Sequence, residues 1–248
     1  MWGSLNNFDY FQFLSESENE LLHKTTSNFK IPPSGVVIVF DRNDYHLSSL
    51  YSDKSIWKNL GNHLNLQVGD GDYEFSPPDI KEIINSFCFS HMVWLSKRAW
   101  AVSEIDFVWN LSHELRHLEQ DLENRYFSLS GWFLYSNLRG VDIEEPKIDI
   151  TVPTELDAEL AAWRTVRKIF GIPSTDNYVQ KLCKQGEKQE SFRILLSKHD
   201  PEIQYDVRYK TISFLRKYES KLNEVINNVY GKSSLLQNID HICSKLSE

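Results

Sequence analysis

Ile105, Val108, Leu111, Leu115, Leu118 and Leu122 recur at helical spacing and predict one helix over about residues 104–126 with a single apolar stripe. Ser103 followed by Asp106 suits the start of that helix, where short polar side chains satisfy free N–H groups. In the middle stands His113-Glu114-Leu115-Arg116-His117, an H-E-x-x-H sequence. Residues four apart on a helix sit one turn above each other on one face. Both imidazoles can therefore grip one metal ion, with Glu114 beside it to handle a proton. The histidines point almost opposite to the apolar stripe, on the side of Asp106, Asn110, Gln120 and Asn124. A solvated helix back carrying two histidines would have the same pattern. A third ligand decides between the two, because a metal site that does chemistry keeps three protein ligands and one water position.

Downstream, Glu155-Leu156-Asp157-Ala158-Glu159-Leu160-Ala161-Ala162-Trp163 opens a helix predicted over about residues 154–170, with Gly171 as its stop. On a wheel of about 100° per residue, Glu159, Ala162, Val166, Ile169 and Phe170 fall within about 60° of Glu155. Asp157, Arg164 and Lys168 fall on the opposite side, as surface charges would. Glu155 and Glu159 thus sit in the centre of an apolar face. A buried carboxylate needs a cationic partner or gives up its charge. A metal ion meets that need. So does an arginine, and acids at a helix N-terminus are also favoured by its dipole. Thr154 and Asp157 form a second possible cap box.

The two pieces, His113–His117 and Glu155-x-x-Ala158-Glu159-x-x-Ala162, resemble the gluzincin branch of zinc metallopeptidases. The second piece is similar to the E-x-x-A-[DE]-x-x-A pattern that follows H-E-x-x-H in HtpX-like and ImmA/IrrE-like peptidases. The HtpX type carries membrane helices, and no run of 18 apolar residues occurs here. The resemblance implies His113, His117 and Glu155 as ligands of one zinc ion and Glu114 as general base. It implies Glu159 as an acid that orients a ligating imidazole. It also implies a zincin-like fold and hydrolysis of a protein or peptide substrate. In such folds the strand before the motif helix is an edge strand to which an extended peptide can add. Here that strand is Phe89–Val102, which includes His91. Tyr205, Tyr209 and His199 follow the glutamate helix and are candidate oxyanion donors. Two rivals from other classes stand beside this reading: a catalytically inactive zincin-fold protein that binds metal or a partner, and a helical interaction protein without metal.

Composition narrows the remaining classes. The 248 residues suffice for a sizeable core, and the net charge of −8 without a long Lys/Arg block argues against a nucleic-acid partner. The three cysteines, Cys88, Cys183 and Cys243, lack CxxC spacing and suit buried thiols in a reducing, cytoplasmic setting. The N-terminus lacks a basic start and an apolar stretch, so no signal peptide is expected.

The pattern along the chain predicts an α+β fold: a small twisted sheet early, the motif helix, then a predominantly helical C-terminal half. One zincin-like domain over 1–248 is expected. Its sheet and motif helix would span about 30–130, and the glutamate helix and helical remainder about 151–248. Val36–Phe40 carries the strongest strand signal, Phe89–Leu95 a second, and Ala99–Val102 continues extended. Helices are expected over about 8–24, 48–60, from Asp79 to about Phe87, 176–197, 202–230 and 233–246. Phe127–Leu134 prolongs the helical region. The stretches 69–78 and 140–150 read as irregular, and Lys184–Glu190 as solvated surface.

Overall fold

The computed structural model describes residues 14–41, 49–54, 89–137, 151–184, 189–230 and 236–248. The expected irregular stretches at 69–78 and 140–150, the helix from Asp79, and Cys88 lie outside them. The fold is α+β, with a three-stranded mixed sheet and a helical majority. Helix α1 covers Glu16–Thr26; of the helix expected over about 8–24, residues 8–13 lie outside the described residues, and Leu14 and Ser15 are not helical. Ser15 starts it by accepting from the Glu18 N–H at 3.3 Å, while Glu18 accepts from the Ser15 N–H at 2.6 Å.

Strands β1 (Val36–Phe40), β2 (Ser49–Asp53) and β3 (His91–Leu95) form the sheet in the order β1-β3-β2. β3 runs parallel to β1 and antiparallel to β2. Two expectations fail here. Residues 49–53 are a strand and not part of a helix, because Ser49 to Asp53 pair residue by residue with Leu95 to His91. Long-range pairing of this kind overrides local propensity. And β3 is central, so its backbone groups are already used on both sides and no peptide can add to it. Among the described residues the edges are β1 and β2.

After β3 the chain does not continue extended. Lys97–Trp100 forms a single helical turn, α2, that folds Ala99 and Trp100 into the core. The Trp100 indole donates to the Asp41 carbonyl at 2.9 Å, which ties this turn to the end of β1. The motif helix α3 (Glu104–Glu123) then starts on Ser103, whose hydroxyl accepts from the Asp106 N–H at 3.1 Å. Its stripe is buried from Val108 to Leu118, but Leu122 is 45% exposed and closes the stripe early.

Helix α4 (Arg125–Asn137) follows directly, and the glutamate helix α5 spans Pro153–Phe170. A Cβ on Gly131 of α4 would stand 2.9 Å from the Thr154 hydroxyl, so glycine permits the close approach of these two helices. Leu156, Ala158, Leu160 and Trp163 are buried as well as Glu159 and Ala162, so α5 is enclosed on most sides. The rest of the chain breaks into shorter helices than expected. These are α6 (Ile172–Leu182), α7 (Gln189–Lys198), α8 (Val207–Lys217) and α9 (Glu219–Val225) with a π-turn to Tyr230, then α10 (Ile239–Ser247). Asn238 caps α10 by accepting from the His241 N–H at 2.7 Å.

Two apolar clusters result. One joins the sheet to α1, α3, α5, α6 and α7; the other fills the space among α4, α8, α9 and α10. Cys183 and Cys243 are buried free thiols, as expected. No helix among the described residues is long and apolar enough to cross a membrane.

Candidate metal centre

Helices α3 and α5 pack along each other with their polar contacts in opposite sequence order. Trp109 and His113 meet Glu159, His113 and His117 meet Glu155, and Gln120 meets the Thr154 carbonyl. The helices are therefore antiparallel, and each presents two side chains one turn apart to the other.

The five residues singled out in the sequence are brought together. His113 Nε2 and His117 Nε2 are 3.1 Å apart. The Glu155 carboxylate lies across both, with Oε2 3.3 Å from His113 Nε2 and Oε1 3.4 Å from His117 Nε2. Glu159 stands behind, its Oε1 3.4 Å from His113 Nδ1, and its Oε2 accepts from the Trp109 indole at 2.8 Å. Glu114 is only 4% exposed, and no hydrogen bond among the described residues occupies its carboxylate oxygens.

The partners of the two Nδ1 atoms assign the tautomers. His117 Nδ1 is 3.0 Å from Gln120 Oε1. The Gln120 amide nitrogen donates to the Thr154 carbonyl at 3.0 Å and to Asp157 Oδ2 at 2.8 Å, so its oxygen is the atom that faces the ring. An amide oxygen only accepts, so His117 Nδ1 carries a proton. The Glu159 carboxylate asks the same of His113 Nδ1. Both Nε2 lone pairs are then left facing each other and a carboxylate. Such a group attracts positive charge, whether protons or a metal ion.

The electrostatics agree. Burial opposes protonation of His113, but Glu159 and Glu155 outweigh it and hold the imidazole well above its ordinary range. Burial likewise opposes protonation of His117, and Glu155 outweighs it. Burial would raise Glu155, yet His117 and His113 hold its carboxyl below the usual carboxylate range.

Sequence reasoning missed the support behind His117. Asp157 was expected on the surface and in a cap box with Thr154. Instead it is 2% exposed and accepts from Gln120 and, at 2.6 Å, from Arg116 Nε. The cap of α5 is Val152, with Pro153 in the first turn and no side-chain hydrogen bond. The signal was present: Gln120 shares a helix face with the histidines, but only the antiparallel packing of α3 on α5 supplies its two acceptors.

Other candidates are not brought to this group by any contact. Tyr209 is 63% exposed. His199 is held below its ordinary range by burial and then by Lys198 and Lys210. Tyr205 is raised by burial first and then by nearby Asp157. His91 is engaged elsewhere, with Tyr51 and Asp121. No family model, curated protein or solved structure matches the chain.

Proposed function

We propose that this protein is a zinc-dependent endopeptidase of the gluzincin type, on a zincin-like fold, which hydrolyses peptide bonds of a protein or peptide substrate. His113, His117 and Glu155 would hold one zinc ion. The observation that carries this reading is the set of three separations, 3.1, 3.3 and 3.4 Å, between the two Nε2 atoms and the Glu155 oxygens. Ligands about 2.0–2.1 Å from a tetrahedral zinc stand about 3.3 Å from one another. The donors are of the right chemistry too: a carboxylate and two imidazoles, neutral once an ion takes the place of their Nε2 protons. Their side chains are 13–16% exposed, as a catalytic site with an open fourth position needs and a sealed structural site does not.

When bound, zinc supplies a Lewis acid that acidifies a water and polarises a carbonyl. The chain's own residues do the rest. Glu114 accepts the proton of the attacking water and delivers it to the leaving amine, for which oxygens that accept no hydrogen bond from the described residues suit it. Glu159 and Gln120 keep both Nδ1 atoms protonated, which leaves both Nε2 lone pairs for the ion. Arg116 and Asp157 hold Gln120 in place. Buried Trp109 fixes the second oxygen of Glu159. The buried free thiols of Cys183 and Cys243 fit a reducing, cytoplasmic setting.

Glu114→Gln tests the reading. The variant should hold zinc at His113, His117 and Glu155 with unchanged affinity, while cleavage of an unfolded protein substrate such as casein drops at least about 100-fold. Cleavage at the wild-type rate would remove Glu114 from the chemistry and the peptidase reading with it.

A further inference from the structure

Asp121 lies one turn beyond His117 on α3, about 6 Å further along the axis. It faces the sheet. Opposite it stand Asp53, the last residue of β2, and His91, the first of β3, which are register partners across the ladder. One ligand atom from each of the three residues lies within 4.8 Å of the other two. Asp53 and Asp121 are 7% and 6% exposed. The Tyr51 hydroxyl stands 2.8 Å from His91 Nδ1 and donates to Asp121 Oδ2 at 2.9 Å, which holds imidazole and carboxylate side by side. The other oxygen of Asp121, Oδ1, is buried and accepts no hydrogen bond. No lysine or arginine among the described residues pairs with Asp121. A carboxylate so enclosed, with an oxygen left over and a second carboxylate beside it, either keeps a proton, toward which burial and then Asp53 push it, or is joined by a cation.

We propose that Asp53, His91 and Asp121 form a second divalent-cation site that clamps the end of the β2–β3 ladder to the last turn of α3. Three elements far apart in sequence supply the ligands, so an ion there closes long loops and stabilises the contact between sheet and motif helix. Two carboxylates and one imidazole suit a first-row divalent ion, and manganese and zinc are the probes. The site shares no residue with His113, His117 and Glu155. Its role is structural, and it stands whether or not the first group is catalytic.

The test uses the untagged full-length chain, stripped with chelator and titrated at neutral pH with Zn2+ and separately with Mn2+. The wild type should take two equivalents of zinc, His117→Ala one, Asp121→Asn one, and the double variant none. His91→Ala should match Asp121→Asn, with folding of each verified by circular dichroism. In His117→Ala, saturating Mn2+ should raise the unfolding midpoint by about 5 °C, and in the double variant by nothing. The wild type gives a readout that disturbs no fold. With one equivalent of zinc already bound, Mn2+ should broaden the amide resonances of Asp53 and His91. Unchanged stoichiometry in folded Asp121→Asn and His91→Ala, or no broadening at Asp53 and His91, would overturn the proposal. A proton shared by the two carboxylates would then account for the cluster. Failure of the catalytic reading looks different: His117→Ala would leave the stoichiometry alone while Asp121→Asn reduced it.

Discussion

Two helix seams meet in this molecule and are built on opposite principles. Between α3 and α5 the buried contacts include, beside the leucines of the larger core, imidazoles, carboxylates, an amide, an indole N–H and a guanidinium. Among α4, α8 and α10 they are Phe127, Phe133, Leu134, Leu215, Ile242 and Leu246, each at most 1% exposed. The apolar seam is non-directional and asks only for volume. The polar seam asks for angles and protonation states, because each enclosed donor needs an acceptor. One region stores stability, and the other spends conformational freedom to hold two imidazoles and a carboxylate close together.

The largest expected effect lies in the apolar seam. Phe133→Ala should cost about 3–5 kcal/mol of folding stability, measured by denaturant unfolding of the zinc-loaded protein. Zinc affinity of the folded variant should stay within about threefold of wild type, in line with the additivity of separate sites. A large affinity loss would mean that the two seams are not separable.

Next is the polar support. Gln120→Met keeps the side chain's length but removes the acceptor of the His117 Nδ1 proton and the donor to Asp157. Zinc affinity should fall about 10–100-fold by competition with a chromophoric chelator. Unchanged affinity would show that the tautomer of His117 is set by something other than Gln120.

The smallest effect is one of sign. His113 and His117 bind protons more tightly folded than their ordinary value of 6.5. In chelated protein their stabilising contribution is thus fully present below pH 6.5 and fades as pH rises through the folded values. Glu155 binds its proton less tightly folded than its ordinary 4.5, so its contribution is lost as pH falls below that value. The midpoint of chelated protein should therefore decline as pH rises above 6.5. With zinc bound it should climb from about pH 5 to about pH 7, because protons compete for the same lone pairs. Parallel curves in melting experiments would remove the metal from this seam.

The sequence carried the parts of the fold that helix geometry decides locally. The spacing of His113 and His117, that of Glu155 and Glu159, the Ser103 cap and the stop at Gly171 all follow from hydrogen bonds four residues apart. The same locality made β1 and the core of β3 legible, since each is a short β-branched or aromatic run. Tertiary structure decided everything that needed a distant partner. Residues 49–53 became a strand because β3 offered an open side, and β3 became central because β2 took it. Asp157 became a buried acceptor because Arg116 and Gln120 arrived from another helix. Asp53, His91 and Asp121 have no pattern in the chain, being 38 and 30 residues apart in succession. A helix repeats every 3.6 residues and so announces its face in advance. A ladder partner or a buried counter-charge has no period, and only the folded packing names it.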